Sequence, residues 1–370
     1  MKILYYFKER DTMMYQWQRV HIFDELKRHD CNIEVFNPLV FDNIEEANEK
    51  LMQHIQNNHY DLFMTPHGSK DIYVQTLLKV KQKGIPTLLI CFDNLIVPFD
   101  HSNIVKYFDL VWLTSIETNE MFNRWGANTI VLPYAANPYF FKPNYNDEIQ
   151  RVAFIGTPYG SRVNMINLLL DNEVEVSLYS SNSKGPKIIS EKMTIKDYIH
   201  PAYNLMRFSI GRRVILGALK QKINGNIELN KTSRFLEQHF PVDLKDLSTL
   251  YSNYAISLSS TAARNTGVLK HPVNIVNLRG FEIPMSGGLQ MCLYFEELAD
   301  YFEEDREIIF YRSNDELIEK ARFYLQPQNK NIRMNMKLAA RKRAENDHTW
   351  FCRFTNVFDH LGLDYKRVNK

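Results

Sequence analysis

Short apolar runs alternate with amphipathic stretches along most of the chain. Apolar runs such as Leu62–Thr65 and Leu110–Leu113 are separated by segments with apolar residues at helical spacing, as in Ile44–Asn57. Strands that are apolar throughout predict a parallel sheet covered by helices on both faces. We therefore predict an N-terminal Rossmann-like domain over residues 1–140.

A proline-containing segment separates this pattern from a second one. Residues 133–143 hold three prolines and lead into the polar stretch 144–150, a composition typical of a domain linker. Strand and helix patterns resume at residue 152, lapse through the basic insert 183–245, and return at residue 247. We predict a C-terminal Rossmann-like domain over residues 150–349, with the helix in 350–370 packing back on the first domain.

Composition narrows the class of protein. The formal net charge of +2 gives no electrostatic case for binding nucleic acid. The four cysteines show no metal-ligand or redox spacing, and no run of 18 uncharged apolar residues occurs. Residues 1–8 read as a first strand rather than a signal peptide. We expect a cytoplasmic protein, with the inner face of the membrane as a second location.

The segment after the apolar run Val152–Ile155 has the chemistry of an anion site. It reads Gly156-Thr-Pro-Tyr-Gly-Ser161 and precedes a helical pattern, so backbone N–H groups are expected beside a helix N-terminus. Arg162 could then bind a diphosphate with both arms of its guanidinium. The alternative is an ordinary strand-to-helix connection, because the turn has neither the G-x-G-x-x-G nor the P-loop spacing.

A lone carboxylate, Glu282, stands in the segment Asn277-Leu-Arg-Gly-Phe-Glu-Ile-Pro-Met-Ser-Gly-Gly288. We predict a short helix there, whose N-terminal N–H groups suit a phosphate and whose carboxylate suits the vicinal diol of a ribose. Arg279 would share a helical face with Glu282, and Lys270 lies in the loop upstream. The alternative is a structural helix whose glutamate faces solvent.

Two further polar residues follow apolar strands in the N-terminal half. His67 comes after Leu62–Thr65, and Asp93 comes after Thr87–Phe92. Both are candidate catalytic residues on the acceptor side, because loops at strand ends carry the ligand sites of α/β sheets. The alternative is that each is a cap or loop anchor.

These segments together resemble a known enzyme family. From Val276 to Phe354 the chain resembles the C-terminal part of CgeB-type glycosyltransferases, the spore-maturation-protein group within the retaining GT-B clan. The segments that carry the resemblance are Asn277–Leu289, Asp315–Leu317, Tyr324–Leu325, Asp347–Trp350 with Arg353, the linker Leu132–Pro143, and Val152–Gly156.

The resemblance implies a GT-B fold, an α/β architecture with two Rossmann-like domains facing across a cleft. It implies transfer of a sugar from a nucleotide diphosphate-sugar, with UDP-sugar favoured, to a hydroxyl of a saccharide or glycolipid acceptor. Retention of configuration and a role in surface polysaccharide or glycoconjugate synthesis follow from the same family. The donor-binding residues it implies are Gly156, Thr157, Tyr159, Arg162, Lys270, Arg279, Phe281, Glu282, Ser286 and Gly287.

One position departs from the wider clan. Related retaining enzymes often carry a glutamate eight residues before the ribose glutamate, where this chain has Asn274. No metal and no cofactor are expected, because Arg162, Lys270 and helix N-termini can neutralise the phosphates.

Other functions remain open at this point. A GT-B-shaped sugar-nucleotide epimerase and a non-catalytic nucleotide-sugar-binding module are the alternatives. Within the basic insert, residues 204–222 could form either a membrane-surface helix, giving a peripheral membrane contact, or a solvated helix packed on its domain. The base, the sugar, the acceptor and the oligomeric state are left open by the residues.

Overall fold

The computed structural model describes residues 1–10, 13–92, 101–145, 148–180, 203, 206–225 and 227–365. Contacts between residues divide the chain into two units. Unit 1 comprises Met1–Asn137 and Thr349–Lys370, and unit 2 comprises Pro138–His348. Each unit has its own parallel sheet.

The sheet of unit 1 has six parallel strands in the order β2-β1-β3-β4-β5-β6. Strands β3, β4 and β5 are buried along their whole length, which is why they read as continuous apolar runs. The strands are β1 Lys2–Tyr6, β2 Asn32–Phe36, β3 Leu62–Thr65, β4 Thr87–Cys91, β5 Leu110–Leu113 and β6 Thr129–Val131.

The helices of unit 1 cover this sheet. A π-helical turn, Arg19–Phe23, joins the first two α-helices into one continuous rod. The last helix returns to unit 1, where the buried Trp350 donates from Nε1 to Nδ1 of His21 at 3.0 Å. The helices are α1 Met13–Gln18, α2 Asp24–Arg28, α3 Ile44–Asn57, α4 Val74–Gln82, α5 Asn119–Arg124 and, at the chain end, α13 Trp350–His360.

The sheet of unit 2 also has six parallel strands, in the order β12-β11-β10-β7-β8-β9. Counted from β7, this is the 3-2-1-4-5-6 arrangement of a dinucleotide-binding fold. The strands are β7 Ile149–Ile155, β8 Val176–Tyr179, β9 Leu236–His239, β10 Tyr254–Leu258, β11 Gln290–Leu293 and β12 Ile309–Tyr311.

On one face of this sheet helices of unit 2 pack against a hydrophobic core, with Ile166, Ile256 and Met291 among its fully buried members. Among the described residues no helix is long and apolar enough to cross a membrane. The helices are α6 Ser161–Asp171, α7 Ser209–Asn224, α8 Leu247–Asn253, α9 Arg279–Met285, α10 Glu296–Ala299, α11 Asn314–Leu325 and α12 Lys330–Asp347.

Candidate functional site

Two loops meet at the carboxyl ends of neighbouring strands in unit 2. The chain leaves β7 towards β8 on one side and leaves β10 towards β11 on the other. Open α/β sheets bind ligands where connections diverge in this way. The loops are also in contact, since a Cβ on Gly267 would lie 2.3 Å from Oγ of Ser161. Most of the predicted donor residues belong to these loops or follow them directly.

Gly156 begins the turn between β7 and α6. Its φ of 139° is one that other residues rarely adopt, and its N–H donates to the carbonyl of Tyr179 at 2.9 Å. A Cβ on Gly156 would lie only 2.6 Å from Nη2 of Arg279. Glycine is therefore required for a second reason, because it lets the guanidinium lie directly against the turn.

Arg279 is held in place by both its side chain and its backbone. Its Nε donates to the carbonyl of Ile155 at 3.0 Å, and its N–H donates to Oδ1 of Asn277 at 3.1 Å. Asn277 in turn donates from Nδ2 to the carbonyl of Ser260 at 2.9 Å. Together these bonds connect the end of β7, the loop after β10 and the start of α9.

The predicted phosphate site at the N-terminus of α9 is wrong. Besides the N–H of Arg279, those of Gly280 and Phe281 already donate to the carbonyls of Asn277 and Leu278. What this helix presents beside the turn is the guanidinium of Arg279 rather than free N–H groups.

Free N–H groups occur instead at the start of α6. The backbone N–H groups of Thr157, Tyr159, Gly160 and Ser161 donate to no acceptor in the part of the chain that the structure describes. Gly160 supplies the N-cap without a side-chain bond. Consecutive N–H groups of this kind form a concave anion site beside the positive end of a helix.

Arg162 adds a second cation at the same turn. Its Nη1 donates to the carbonyl of Thr157 at 3.2 Å, and its guanidinium lies 4.4 Å from the ring centre of Tyr159. Burial lowers the pKa of Arg162, Tyr159 raises it, and the charge of Arg279 lowers it further. The positive charges of Arg162 and Arg279 repel each other, and they lie beside N–H groups that have no acceptor among the described residues. This arrangement suits a multiply charged anion.

Glu282 lies three residues after Arg279 on α9 and is only 5% exposed. Burial raises the pKa of the Tyr251 hydroxyl, and the charges of Arg279 and Glu282 both act on that hydroxyl. The three groups therefore form one cluster. Sequence reasoning missed Tyr251, because its apolar spacing in α8 marks it only as a core residue.

Three predicted donor residues have structural roles instead. Phe281 is fully buried, with ring centres of Tyr301 and His348 at 5.8 and 5.1 Å, so its side chain has no surface left for a ligand. Ser286 is fully buried and donates from Oγ to the carbonyl of Glu282 at 2.7 Å. Gly287, with φ of 71°, ends the helix at the end away from Arg279.

Lys270 is not part of this cluster in the structure. It is exposed in the loop, and its ammonium forms no hydrogen bond or ion pair with any of the described residues. Its predicted contact with a phosphate would require this loop to change conformation.

The two candidate catalytic residues belong to unit 1. Both ring nitrogens of His67 have partners: Nε2 accepts the N–H of Lys8 at 3.0 Å, and Nδ1 lies 3.3 Å from Oδ2 of Asp71. His67 is therefore a loop anchor in this structure rather than a free base. Asp93 lies outside the described residues.

A cavity of about 440 Å³ lies at the carboxyl ends of β8 and β9. In its wall the rings of Tyr179 and His239 are stacked, with centres 4.3 Å apart. Tyr179 also packs on a small buried cluster that contains Tyr251 and Ile283, the neighbour of Glu282. No pattern in the sequence predicted this cavity, since β9 is a polar strand.

Among the described residues no group of three or more histidine, cysteine, aspartate or glutamate side chains could hold a metal ion.

Solved structures of glycosyltransferases share this architecture over nearly the whole chain. Anabaena Alr3699/HepE in complex with UDP-glucose has a TM-score of 0.58 at 11% identity, covering 98% of this chain and 99% of that chain. A glycosyltransferase from Rickettsia africae ESF-5 has a TM-score of 0.56 at 12% identity, covering 100% and 99%. An alpha-glucosyltransferase in complex with UDP and a 13-mer DNA has a TM-score of 0.60 at 10% identity, covering 98% and 99%. These likenesses show the fold, which is GT-B.

The sequence itself carries a matching domain. Residues 212–359 match the family model described as glycosyl transferase-like, and this range contains Arg279 and Glu282. The chain thus carries a glycosyl transferase-like domain within a GT-B fold. The expected GT-B fold class is thereby confirmed, with a six-stranded parallel sheet in each unit.

A curated relative also matches part of the chain. Glutamyl-tRNA reductase of Thermoplasma volcanium is 28% identical over 178 residues, which are 44% of this chain and 40% of the relative. The chain thus spans less than half the length of that relative. The partial match assigns no reductase activity to the chain.

Proposed function

We propose that this glycosyltransferase transfers a sugar from a UDP-sugar to a hydroxyl of a saccharide acceptor, and that unit 2 binds the donor. One observation carries the proposal: two guanidinium groups and a row of N–H groups that have no acceptor among the described residues lie at a single turn, close to a buried carboxylate. The choice of uridine is supported by the structural relative that was solved with UDP-glucose.

In this proposal the diphosphate lies against residues 156–161. The N–H groups at the start of α6 donate to one phosphate, and the guanidinium groups of Arg162 and Arg279 bind the charged oxygens. The side chain of Arg279 is held in this position, because its Nε donates to the carbonyl of Ile155. These cations neutralise the phosphates with no metal ion, so we expect activity to survive chelation of divalent cations.

The ribose and the base extend from the turn towards β8 and β9. Glu282, which is 5% exposed, accepts hydrogen bonds from the ribose hydroxyls. The uracil occupies the cavity beside Tyr179 and His239, where an aromatic ring can stack on a planar base. The described residues thus offer a separate contact for each part of the nucleotide.

The chemical step breaks the bond between the sugar C1 and the oxygen of the terminal phosphate, and forms a bond between C1 and the acceptor oxygen. We propose retention of configuration, with the departing phosphate taking the proton of the acceptor hydroxyl. The support is the resemblance of Asn277–Leu289 to the CgeB-type enzymes. The arginines stabilise the charge that develops on the leaving diphosphate, which is usually the largest catalytic contribution.

The acceptor side is proposed to lie in unit 1, with Asp93 as the remaining candidate residue there. His67 would then act by positioning the loop after β3, through its bonds with Lys8 and Asp71. A saccharide or glycolipid acceptor, from surface polysaccharide or glycoconjugate synthesis, follows from the same family resemblance.

The ribose contact can be tested with UDP and 2′-deoxy-UDP in titration calorimetry. Glu282→Ala should weaken UDP binding by about 1.5–3 kcal/mol, the usual contribution of a hydrogen bond to a charged group. Removing the 2′-hydroxyl should weaken binding to the native protein but have little further effect in Glu282→Ala, because both changes delete the same contact.

Glu319→Ala is the matched control, since Glu319 is an exposed glutamate on α11 of the same unit. Additive losses from Glu282→Ala and the 2′-deoxy ligand would exclude the ribose contact. Incubation with UDP-sugars then separates the functions: slow hydrolysis or transfer supports a transferase, isomerisation without an acceptor indicates an epimerase, and neither reaction indicates a binding module.

A further inference from the structure

Helix α7, Ser209–Asn224, exposes a stripe of large apolar side chains. Leu216, Leu219 and Ile223 are 57%, 54% and 84% exposed. Their spacing of three and four residues places them on one face of the helix. Ile227, just beyond the helix end, is also 55% exposed. Single exposed apolar residues are ordinary, but a contiguous stripe of them marks an interaction surface.

Basic side chains border this stripe. At about 100° per residue, Lys220 and Lys222 fall on opposite sides of the line through Leu219 and Ile223. Arg212 is exposed and lies in line with the stripe one turn before Leu216. Residues 206–225 contain five arginines and lysines and no aspartate or glutamate. The exposed face is therefore apolar along its centre and positive at its margins.

The opposite face of α7 fixes the helix to unit 2. Ile210, Gly211 and Gly217 are buried. Arg213 donates from Nη2 to the carbonyls of His271 and Pro272, at 3.2 and 2.6 Å. Among the described residues, the contacts that fix α7 to unit 2 thus come mainly from its buried face, while the apolar stripe is largely exposed.

We propose that α7 docks this glycosyltransferase on an anionic lipid surface. The apolar stripe would enter the boundary between headgroups and acyl chains, while the lysines and arginine contact the phosphates of the lipids, as interfacial amphipathic helices do. Charge complementarity favours anionic lipid over a second copy of the chain, since two copies meeting at this face would bring their basic margins together. The inference rests on α7 alone and is independent of the proposed donor chemistry.

The helix also approaches the donor turn. A Cβ on Gly160 would lie 3.5 Å from Nε2 of Gln221, which is on the buried face of α7. Docking through the exposed stripe would therefore hold the donor site close to the lipid surface, where a lipid-linked acceptor would be found.

Flotation with phospholipid vesicles tests the proposal on the full-length protein. The protein should bind vesicles of phosphatidylcholine with about 30% phosphatidylglycerol, and binding should weaken as salt is added and on pure phosphatidylcholine. The single substitution Ile223→Glu and the triple substitution Leu216→Glu, Leu219→Glu and Ile223→Glu should each reduce binding, the triple by at least about tenfold.

The control is Ile332→Glu with Leu338→Glu on α12, where the native side chains are 41% and 49% exposed on another basic helix. This pair should leave vesicle binding unchanged. UDP affinity, measured in each variant, should also be unchanged and shows that unit 2 is folded. The proposal is overturned if the native protein ignores anionic vesicles, if the α7 variants bind them normally, or if those variants only abolish self-association.

Discussion

The loops at the carboxyl edges of the two sheets differ in whether their charged side chains are paired within the protein. In unit 1 several charged side chains are paired within the protein: Lys8 and His67 both contact Asp71, and Arg19 lies 2.9 Å from Glu9. In unit 2 the charge of Arg279 lowers the pKa of Arg162, and neighbouring N–H groups have no acceptor among the described residues. Charges that are already paired within the protein need no anionic ligand, whereas the cations and N–H groups without such partners among the described residues of unit 2 favour the binding of an anion.

The same difference distinguishes charged residues that anchor a loop from charged residues that are available to bind a ligand. The network at Asp71 fixes the loop after β3 and pairs the charges of Lys8, His67 and Asp71 with one another. The network at Arg279 fixes the guanidinium through Nε and the backbone, and this leaves its terminal nitrogens beside the turn. An arginine that binds an anion must be held in position while its positive charge stays available to the ligand.

Arg279→Ala should give the largest change in donor affinity. We expect UDP binding to weaken by about 2–3 kcal/mol, roughly 30- to 150-fold, because a charge-assisted contact with the diphosphate is lost. Uridine, which has no phosphate, should bind the variant and the native protein alike. Titration calorimetry with both ligands measures the two effects.

Two other arginines serve as controls for Arg279. Arg234→Ala removes a highly exposed arginine of unit 2, and Arg19→Ala removes a paired arginine of unit 1. Neither should change UDP affinity by more than about twofold if the donor contacts are confined to the turn of unit 2. An equal loss in Arg19→Ala would remove the distinction between the two edges.

Glu25 in unit 1 provides a pH test of a charge with a purely structural role. It accepts the N–H groups of Trp350 and Phe351, at 3.2 and 2.8 Å, at the start of α13. Burial raises its pKa to about 7, in spite of these bonds. Because the pKa of Glu25 is higher in the folded state than in the unfolded state, folding favours the protonated carboxyl group. Its contribution to the free energy of unfolding is complete below about pH 4.5 and is lost as the pH rises to about 7.

The glutamine in Glu25→Gln cannot ionise, so this variant should not lose stability between about pH 4.5 and about pH 7 for this reason. Relative to the native protein, its free energy of unfolding should rise by about 2 kcal/mol between pH 5 and pH 7.5. Denaturant unfolding at the two pH values measures the change. A constant difference between the two proteins would mean that Glu25 is ionised throughout this range, and UDP affinity should be unaffected in either case.

Asp71→Asn should give a smaller change with the opposite pH dependence. Burial would raise the pKa of Asp71, but hydrogen bonds and charges from His67 and Lys8 lower it to about 2. A depressed pKa contributes stability that is complete above about pH 4 and is lost as the pH falls towards 2. The variant should thus be less stable by about 1–2 kcal/mol at pH 7 and equal to the native protein near pH 2, as measured by denaturant unfolding.

The sequence predicted the elements with strong periodicity and missed those without it. Helix α3 and strands β3 and β5 have the predicted bounds, because their apolar spacing is unambiguous. Strand β9 was missed, since Leu236–His239 is a polar strand at the edge of its sheet and has no alternating pattern.

Contacts between segments that are far apart in the chain could not be predicted from the sequence. The pattern around residue 279 suggested a phosphate site made by a helix N-terminus, but Asn277 closes that end. The approach of Arg279 to Gly156 joins residues 123 positions apart and leaves no periodic signal. In the same way, nothing local shows that Phe281 turns into the core while Glu282 lies beside Tyr251.

Hydrogen exchange with and without UDP tests the central claim most directly. If unit 2 binds the diphosphate at the turn, saturating UDP should protect the amides of Thr157, Tyr159, Gly160 and Ser161, which have no acceptor among the described residues. Residues 65–71 of unit 1 should exchange at the same rate with and without the ligand. Protection of residues 65–71 with no change at 157–161 would contradict the assignment of the donor site to unit 2.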